Sequence, residues 1–461
     1  MDYARLQEQM RVELGQRLQV LPTDVDAWTA AARVQKMGLS STQRLALVDM
    51  MQALVLRQKQ KLDELDQPLA AAAFADRHAA FLIEMAGGQE LWRVFRFILA
   101  EHEDERLQAS VRAAGRIAED CYGACVRRAR AWGVLDSSQF REAPLVFLEA
   151  VDSPATASRR EAVQAVSLAV REFRSLKLAL PIVLLPLDYA SSIWNFCGLH
   201  HEVGHNVDQD LNLTPELRGV LPDLTLAGEE ICWRRWSNEI LADAIGITLG
   251  GSGFAASLGS LSLLLASSAA QAEIQSTAVH PPFVVRVRLI AEMLRLTGVP
   301  AHADLADELS AIWDTLERPA WVAPFAQDAK AIAALFLTTK LTALKAHAVL
   351  ELNADPASDH ARTQALATFF LGQGPRPEPK IEFGMHPRLV PAAAQLAVRA
   401  ALSTPDVLGR IHESAVKYLN LIPALEALGP AGALTTTRRD YLRDLAHKVD
   451  FGALAPAEAG G

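Results

Sequence analysis

Aromatic residues and cysteines are scarce in this chain. Phe, Trp and Tyr together make up 6% of its 461 residues, and runs of β-branched residues are few. Ala and Leu dominate instead, and this composition favours helices. Half of the residues (50%) are hydrophobic, so the chain can bury a sizeable core. Four cysteines in a chain of this size indicate a reducing compartment, so we expect a cytoplasmic protein.

Basic stretches and targeting segments are also scarce. The net charge is −9 and no stripe of Lys and Arg stands out, so we expect no nucleic-acid partner. The first residues, Met1 to Arg5, lack the apolar centre of a signal peptide. The most apolar stretch, Phe254 to Ala270, is of borderline length for a bilayer and contains five serines. It therefore predicts a buried helix, and we expect no membrane span.

The segment HEVGH at 201–205 has the spacing of a metal site. Residues four apart share one face of a helix, so His201 and His205 can bind the same metal ion. Glu202 stands one position further round, where its carboxylate can take a proton from a metal-bound water. The segment before the motif, 194–199, is largely apolar, which favours a buried helix. The motif predicts a zinc-dependent hydrolase, namely a peptidase that binds Zn²⁺.

A catalytic zinc site needs a third protein ligand, and the segment NEILAD at 238–243 offers one. Glu239 and Asp243 are four residues apart, so Glu239 could bind zinc while Asp243 accepts a hydrogen bond from a ligand imidazole. Asp208 lies one turn after the second histidine and could be a ligand or an orienting carboxylate. Glu229 and Glu230 are further alternatives. We favour Glu239 because it brings its own helix and an acidic partner at the right offset.

These two segments together resemble the gluzincin metallopeptidases, the thermolysin-like group with two His ligands and one Glu ligand. The resemblance covers roughly residues 180–290, and the gap between the second His and the Glu is longer here than in thermolysin. The resemblance implies that His201, His205 and Glu239 are the zinc ligands. It also implies that Glu202 is the general base and that Asp243 accepts a hydrogen bond from a ligand.

A third segment extends the resemblance. His280 is followed by two prolines and, six positions on, by Arg286. This HP-x4-R element is similar to one in the CAAX prenyl protease type of zinc peptidase, where the His and Arg are thought to bind substrate and stabilise the oxyanion. Fixed donors aimed at the carbonyl oxygen would lower the barrier, because amide hydrolysis builds negative charge there. The alternative for His280 is a helix start, and for Arg286 a solvated helix face.

Strand-like runs precede the motif. The runs Pro144–Leu148 and Pro181–Tyr189 are short and apolar and predict strands. The second has flanking prolines, which predict a position near a sheet edge. An edge strand could pair with the extended backbone of a substrate. Tyr189 is expected to be a core or rim residue, with donation to the oxyanion as the alternative. Residues 155–173 predict a helix, and the glycines at 250–253 predict the end of the NEILAD helix.

The predicted fold is mainly α-helical with a small mixed α/β, zincin-like catalytic core. We divide the chain into a helical N-terminal domain at 1–140, the metallopeptidase core at 141–320 and a helical C-terminal region at 321–451. Residues 452–461, rich in Ala, Gly and Pro, predict a disordered tail.

The sequence thus predicts a zinc metallopeptidase that acts on a peptide or protein. The alternative is a latent or partner-regulated zinc-binding module, whose helical flanks could bind a regulatory protein. Retention of Glu202 favours catalysis, because a structural zinc site has no use for a base and is normally closed by a fourth ligand. Hydrolysis of a non-peptide amide would use the same chemistry.

Overall fold

The fold is mainly helical, as predicted. A computed structural model describes residues 3–30, 39, 41–66, 70–101, 104–135, 142–151, 153–157, 180–221, 230–269, 279–315, 320–380, 384–401 and 405–422. The predicted tail at 452–461, most of the helix predicted over 155–173, and Glu229 lie outside these residues.

Among the described residues, five α-helices precede the strands: α1 (Tyr3–Leu18), α2 (Val20–Ala30), α3 (Ser41–Asp63), α4 (Ala71–Glu101) and α5 (Gln108–Ala131). The strands are β1 (Leu145–Glu149), β2 (Ala155–Ala157) and β3 (Ile182–Pro186). After them come α6 (Gly198–Leu211), α7 (Thr214–Val220), α8 (Glu230–Ala269), α9 (Phe283–Leu296), α10 (Pro300–Thr315), α11 (Val322–Thr338), α12 (Pro356–Phe370), α13 (Leu389–Ala401) and α14 (Pro405–Leu421). The mainly helical fold with a small α/β part is confirmed.

Local sequence explains where these helices begin and which face they bury. At the start of α12, the Asp355 carboxylate accepts a hydrogen bond from the backbone N–H of Ser358, and Pro356 follows at the first helical position. Helix α5 buries a stripe at helical spacing that includes Val111, Ile117 and Cys121. Each of these features is legible in the sequence before any tertiary contact is known.

The described strands form one mixed sheet in the order β1-β3-β2. Strand β1 runs parallel to β3, and β2 runs antiparallel to it. The two predicted strands are confirmed, but the expectation that the second lies at a sheet edge is wrong. All five residues of β3 are buried, because it is the central strand. The helix expected from residue 155 is also wrong at its start, since Ala155–Ala157 pairs with β3 instead.

The sheet lies between two hydrophobic clusters. Successive side chains of a strand point to opposite faces, so β1 and β3 each contribute to both clusters. Leu145, Phe147, Ile182 and Leu184 pack against α2, α3 and α4. Val146, Leu148, Val183 and Leu185 face the larger core. That larger core takes residues from α5 and from α12 to α14 as well as from the helices between them. The division into domains at 140 and 320 stays a prediction.

Helix α8 is kinked rather than ended at its glycines. Gly251 has φ 53 and ψ −135, a backbone conformation that side chains with a Cβ rarely adopt. A Cβ there would also lie 2.9 Å from Cε1 of His302. Beside the kink, the side-chain amide of Asn353 donates to the carbonyl of Thr248. The glycines therefore interrupt the regular helix, but the expectation that they end it is wrong, because α8 continues to Ala269.

One described helical segment, Glu230–Ser260 of α8, is long and apolar enough to cross a membrane. Its mean hydropathy is 1.3, and 89% of the apolar window is buried inside the protein. A core helix of a globular protein meets the same criterion of length and composition.

Candidate metal centre

The site is built where α6 crosses α8. A Cβ added to Gly204 would lie 2.9 Å from the Cα of Ala242 and 3.0 Å from its carbonyl oxygen. Backbone contact this close is open only to glycine on α6 and to a small residue on α8. The crossing places the histidines that flank Gly204 opposite the carboxylates that flank Ala242, and these polar groups meet inside the larger core.

Three side chains converge at the crossing. Nε2 of His201 lies 3.1 Å from Nε2 of His205 and 3.2 Å from Oε2 of Glu239. Nε2 of His205 lies 3.4 Å from Oε1 of Glu239. One nitrogen or oxygen from each residue lies within 4.8 Å of the other two. The ligand cluster expected from the sequence is therefore brought together, and it could bind a metal ion.

The residues fit an ion of the size of zinc. Zinc–donor distances of about 2.0–2.1 Å in a tetrahedral site place neighbouring donors about 3.3 Å apart, which is close to the separations found here. In addition, the buried Oε2 of Glu239 has no hydrogen-bond partner among the residues that the structure describes. A buried carboxylate oxygen without a partner is costly, and a bound cation would satisfy it.

Electrostatics link the three side chains. Burial alone would lower the pKa of His201, but the negative charges of Asp243 and Glu239 raise it to about 10. Burial opposes ionisation of Glu239 too, yet the two imidazoles hold its pKa well below the ordinary value. Without a metal, the cluster therefore carries a proton on an imidazole. Metal binding must displace that proton, so affinity falls as the pH is lowered.

Asp243 supports the cluster from behind, as predicted. Its Oδ1 accepts a hydrogen bond from Nδ1 of His201 at 2.8 Å. That contact leaves Nε2 of His201 facing the other donors, which is how a carboxylate orients a metal-binding imidazole. Arg286 in turn donates to both oxygens of Asp243, from Nη2 at 2.6 Å and from Nε at 2.9 Å. All three side chains are buried.

Arg286 is therefore committed to Asp243. The alternative of a solvated helix face is wrong for this residue, because it is buried in a two-pronged ion pair. The sequence predicted that Arg286 stabilises an oxyanion. Its guanidinium instead donates to both oxygens of Asp243 and is not free to contact a substrate. His280 reaches the site from the segment before α9, with Nε2 3.2 Å from Oε2 of Glu239.

Glu202 lies beside the cluster with its side chain buried. Burial raises the pKa of this carboxyl, while the positive charges of His201 and His205 oppose the rise. A carboxylate with a raised pKa is a stronger proton acceptor near neutral pH. Tyr189 is half-buried at the rim, and burial, Asp188 and then the charge of Glu202 raise its pKa. The rim position of Tyr189 agrees with the sequence-based expectation.

Two other carboxylates considered as ligands, Asp208 and Glu230, are engaged elsewhere. Oδ1 of Asp208 accepts hydrogen bonds from the backbone N–H groups of Leu213 and Thr214, and Oδ2 accepts one from the Thr214 hydroxyl. The assignment of Asp208 as a support for the metal ligands is corrected: it closes the turn between α6 and α7. Glu230 pairs with Arg234 on the helix surface.

Sequence reasoning missed a buried charge network behind α6. Arg388 donates to Asp120 on α5 and to Asp359 on α12, at 3.0 and 2.8 Å. Its carbonyl oxygen lies 2.9 Å from Nε2 of His200, the residue before His201. The available signal was a carboxylate, Asp120, within the apolar stripe of α5. Arg388 lies directly before α13, which begins at Leu389.

The centre thus combines a three-residue donor set, a buried carboxylate beside it and a supporting acid–base pair behind it. Each ligand is held on a different turn of two crossing helices, so their spacing depends on one helix contact. No protein-family model, curated protein or solved structure matches this chain.

Proposed function

We propose that this protein is a zinc metallopeptidase of the gluzincin type. The observation that carries the proposal is the convergence of His201, His205 and Glu239 beside the buried carboxylate of Glu202. Two imidazoles and one carboxylate form a donor set that zinc uses in catalytic sites, where three protein ligands leave one position for water. The separations among the donors support zinc over the larger cation calcium, which also prefers an all-oxygen set.

The chain's own residues supply the proton chemistry. When bound, zinc would lower the pKa of a water and polarise the carbonyl to be attacked. Glu202 takes the proton of the attacking water on its carboxylate and delivers it to the nitrogen that leaves. Its raised pKa suits both transfers, because the group must accept and release a proton within one cycle. Asp243 keeps the His201 ring in the orientation that exposes Nε2.

A peptide substrate is supported by the position of β2. This strand pairs with β3 on one side and is an edge of the described sheet. It lies against α6, where the side-chain amide of Asn206 donates to the hydroxyl of Thr156. An extended peptide added to such an edge would run beside the metal centre, held by backbone hydrogen bonds. Pairing with the substrate backbone, which was expected from the sequence for the strand now called β3, is therefore assigned to β2.

One observation favours the alternative of a latent or partner-regulated module. Both residues expected to stabilise the oxyanion contact acidic side chains of α8: His280 contacts Glu239, and Arg286 contacts Asp243. A binding partner or a substrate would then have to supply or rearrange oxyanion donors before hydrolysis. This alternative predicts zinc binding without peptide cleavage by the isolated chain.

The deciding experiment combines metal content with peptide cleavage. Purified wild-type protein should contain about one zinc per chain by elemental mass spectrometry, and Glu239→Ala should contain clearly less. In a peptide library assay, Glu202→Gln should lose hydrolysis while it keeps its zinc. Glu230→Gln is the matched control, because Glu230 is partly exposed and pairs with Arg234. Zinc without cleavage by the wild type supports the latent module, and cleavage by Glu202→Gln contradicts the proposed mechanism.

A further inference from the structure

His280 lies at the mouth of the metal centre. Its side chain is 60% exposed, yet Nε2 lies 3.2 Å from Oε2 of Glu239. Nε2 of His201 lies at the same distance from that oxygen. The residue stands just before α9, whose first turn carries Arg286 against Asp243. The two basic residues of this element thus contact two acidic residues of α8, Glu239 and Asp243.

We infer that His280 is a positioning residue for the metal ligand Glu239, and that the element from His280 to Arg286 holds both Glu239 and Asp243 in place. In this chain the element orients the metal ligands directly and through Asp243. This inference rests on the metal site of the proposed function, and it does not depend on peptide cleavage.

The backbone explains how one element reaches both acids. Glu239 and Asp243 are one helical turn apart on α8. His280 and Arg286 are six residues apart, but Pro282 is extended, with φ −54 and ψ 142, and α9 starts only at Phe283. The extended residues place His280 ahead of the N-terminus of α9, and the first turn of the helix presents Arg286 to Asp243. Pro281 and Pro282 thereby set a spacing at which His280 contacts Glu239 while Arg286 contacts Asp243.

The contact between His280 and Glu239 matters because Oε2 of Glu239 lacks a hydrogen-bond donor in the part of the chain that the structure describes. This oxygen is buried and has no hydrogen-bond partner among the described residues, while Nε2 of His280 approaches it from the open side. A neutral imidazole with its proton on Nε2 can donate to Oε2. Each carboxylate oxygen has two lone pairs, so Oε2 can accept a hydrogen bond from His280 that fixes its orientation and still bind an ion. Hydrogen-bonding partners of this kind contribute about 10–100-fold to metal affinity.

The test compares zinc affinity among three variants by competition with a chromophoric chelator. His280→Ala should bind zinc about 10–100-fold more weakly than the wild type. His280→Gln should restore most of the affinity, because the Gln side-chain amide can place an N–H near the position of Nε2. His78→Ala, a histidine on α4 that stacks on Phe74, is the matched control and should bind as the wild type does.

A role at the oxyanion gives the opposite pattern. In that case His280→Ala would keep wild-type zinc affinity and would lose about 10²–10³-fold in kcat, which overturns the inference. Failure of His280→Gln to recover affinity would also overturn it, because the contact would then not be a hydrogen bond. Urea unfolding of the metal-free variants checks that each is folded, which the exposure of His280 leads us to expect.

Failure of the proposed function has a different signature. If the wild type binds zinc but cleaves no peptide, the peptidase proposal fails, while the ranking of zinc affinities still tests His280. If the wild type binds no zinc, the metal site itself is wrong and both proposals fall.

Discussion

Gly204 and Ala242 touch backbone to backbone at the crossing of α6 and α8, and the distances from His201 and His205 to Glu239 depend on that contact. A Cβ at position 204 would lie 2.9 Å from the Cα of Ala242. The contact is with backbone, so it cannot be relieved by a change of side-chain rotamer. The glycine inside the histidine motif is thus explained by helix packing.

Gly204→Ala should therefore force the two helices apart. We expect a loss of about 1–3 kcal/mol in the free energy of unfolding, as for other overpacked cores, and weaker zinc binding because His201 and His205 move away from Glu239. Urea unfolding and chelator competition measure the two effects. Gly115→Ala is the control, because nothing lies within 4 Å of a Cβ added there on α5. That variant should gain up to about 1 kcal/mol, and equal effects at the two positions would contradict the packing argument.

The Arg286–Asp243 pair should behave as one unit. Arg286→Met leaves the buried Asp243 carboxylate without its main counter-charge, so we expect a loss of about 3–5 kcal/mol in unfolding free energy. Asp243→Asn should also destabilise the metal-free protein. The double variant should be less destabilised than the sum of the two, and urea unfolding of all four proteins measures this coupling. Additive losses would show that the residues act independently.

Stability should fall in mild acid because of His302. Burial, and then the nearby His360, lower the pKa of His302 from 6.5 to about 4. Asp359, on the same cavity wall, is paired with Arg388. Between these pKa values the unfolded chain binds a proton that the folded chain excludes, so unfolding becomes easier as the pH drops. Most of this contribution, about 3 kcal/mol, is lost by pH 4.

His302→Gln should remove this part of the pH dependence. The variant is compared with the wild type by urea unfolding at pH 7.5 and at pH 4.5. We expect the difference in stability between the two pH values to be smaller in the variant. An unchanged difference would assign the acid sensitivity to other groups.

The cysteines should differ sharply in reactivity. Cys121, Cys125 and Cys197 are buried, whereas Cys232 is partly exposed. Burial raises the pKa of the Cys125 thiol to about 12, and it raises those of Cys121 and Cys197 as well. Thiolates are the reactive form, so Ellman's reagent at pH 8 should label at most one thiol per native chain. All four should react in denaturant. Cys232→Ser should abolish native labelling, and persistent labelling would locate the reactive thiol elsewhere.

Much of the candidate site was predictable because its members have regular spacing along helices. His201 and His205 share a helix face, and so do Glu239 and Asp243, so each pair follows from helix geometry alone. Choosing Glu239 over Asp208 followed from the same logic. The actual engagement of Asp208 in a turn depends on the N–H groups of Leu213 and Thr214, whose direction no periodicity predicts.

The fold class was predicted from the sequence, but the order of the strands in the sheet was not. The composition indicated helices, and the short apolar runs marked β1 and β3 at the right places. The central position of β3 could not be predicted, because a buried strand has the same apolar sequence whether one neighbour or two pair with it. Residues 155–157 carry no strand pattern of their own and are extended because β3 offers them a free edge.

The sequence by itself determined which residues share a helix face, where the short strands lie and which chemistry the donor set can perform, because these follow from local periodicity and side-chain type. Tertiary structure alone decided the partners: His280 on Glu239, Arg286 on Asp243, and Arg388 between two buried carboxylates. Carboxylates far apart in the chain are chemically alike, and which of them meets a given base depends on how the helices pack. That packing is cooperative and long-range, so it is set by the whole core and by single close contacts such as the one at Gly204.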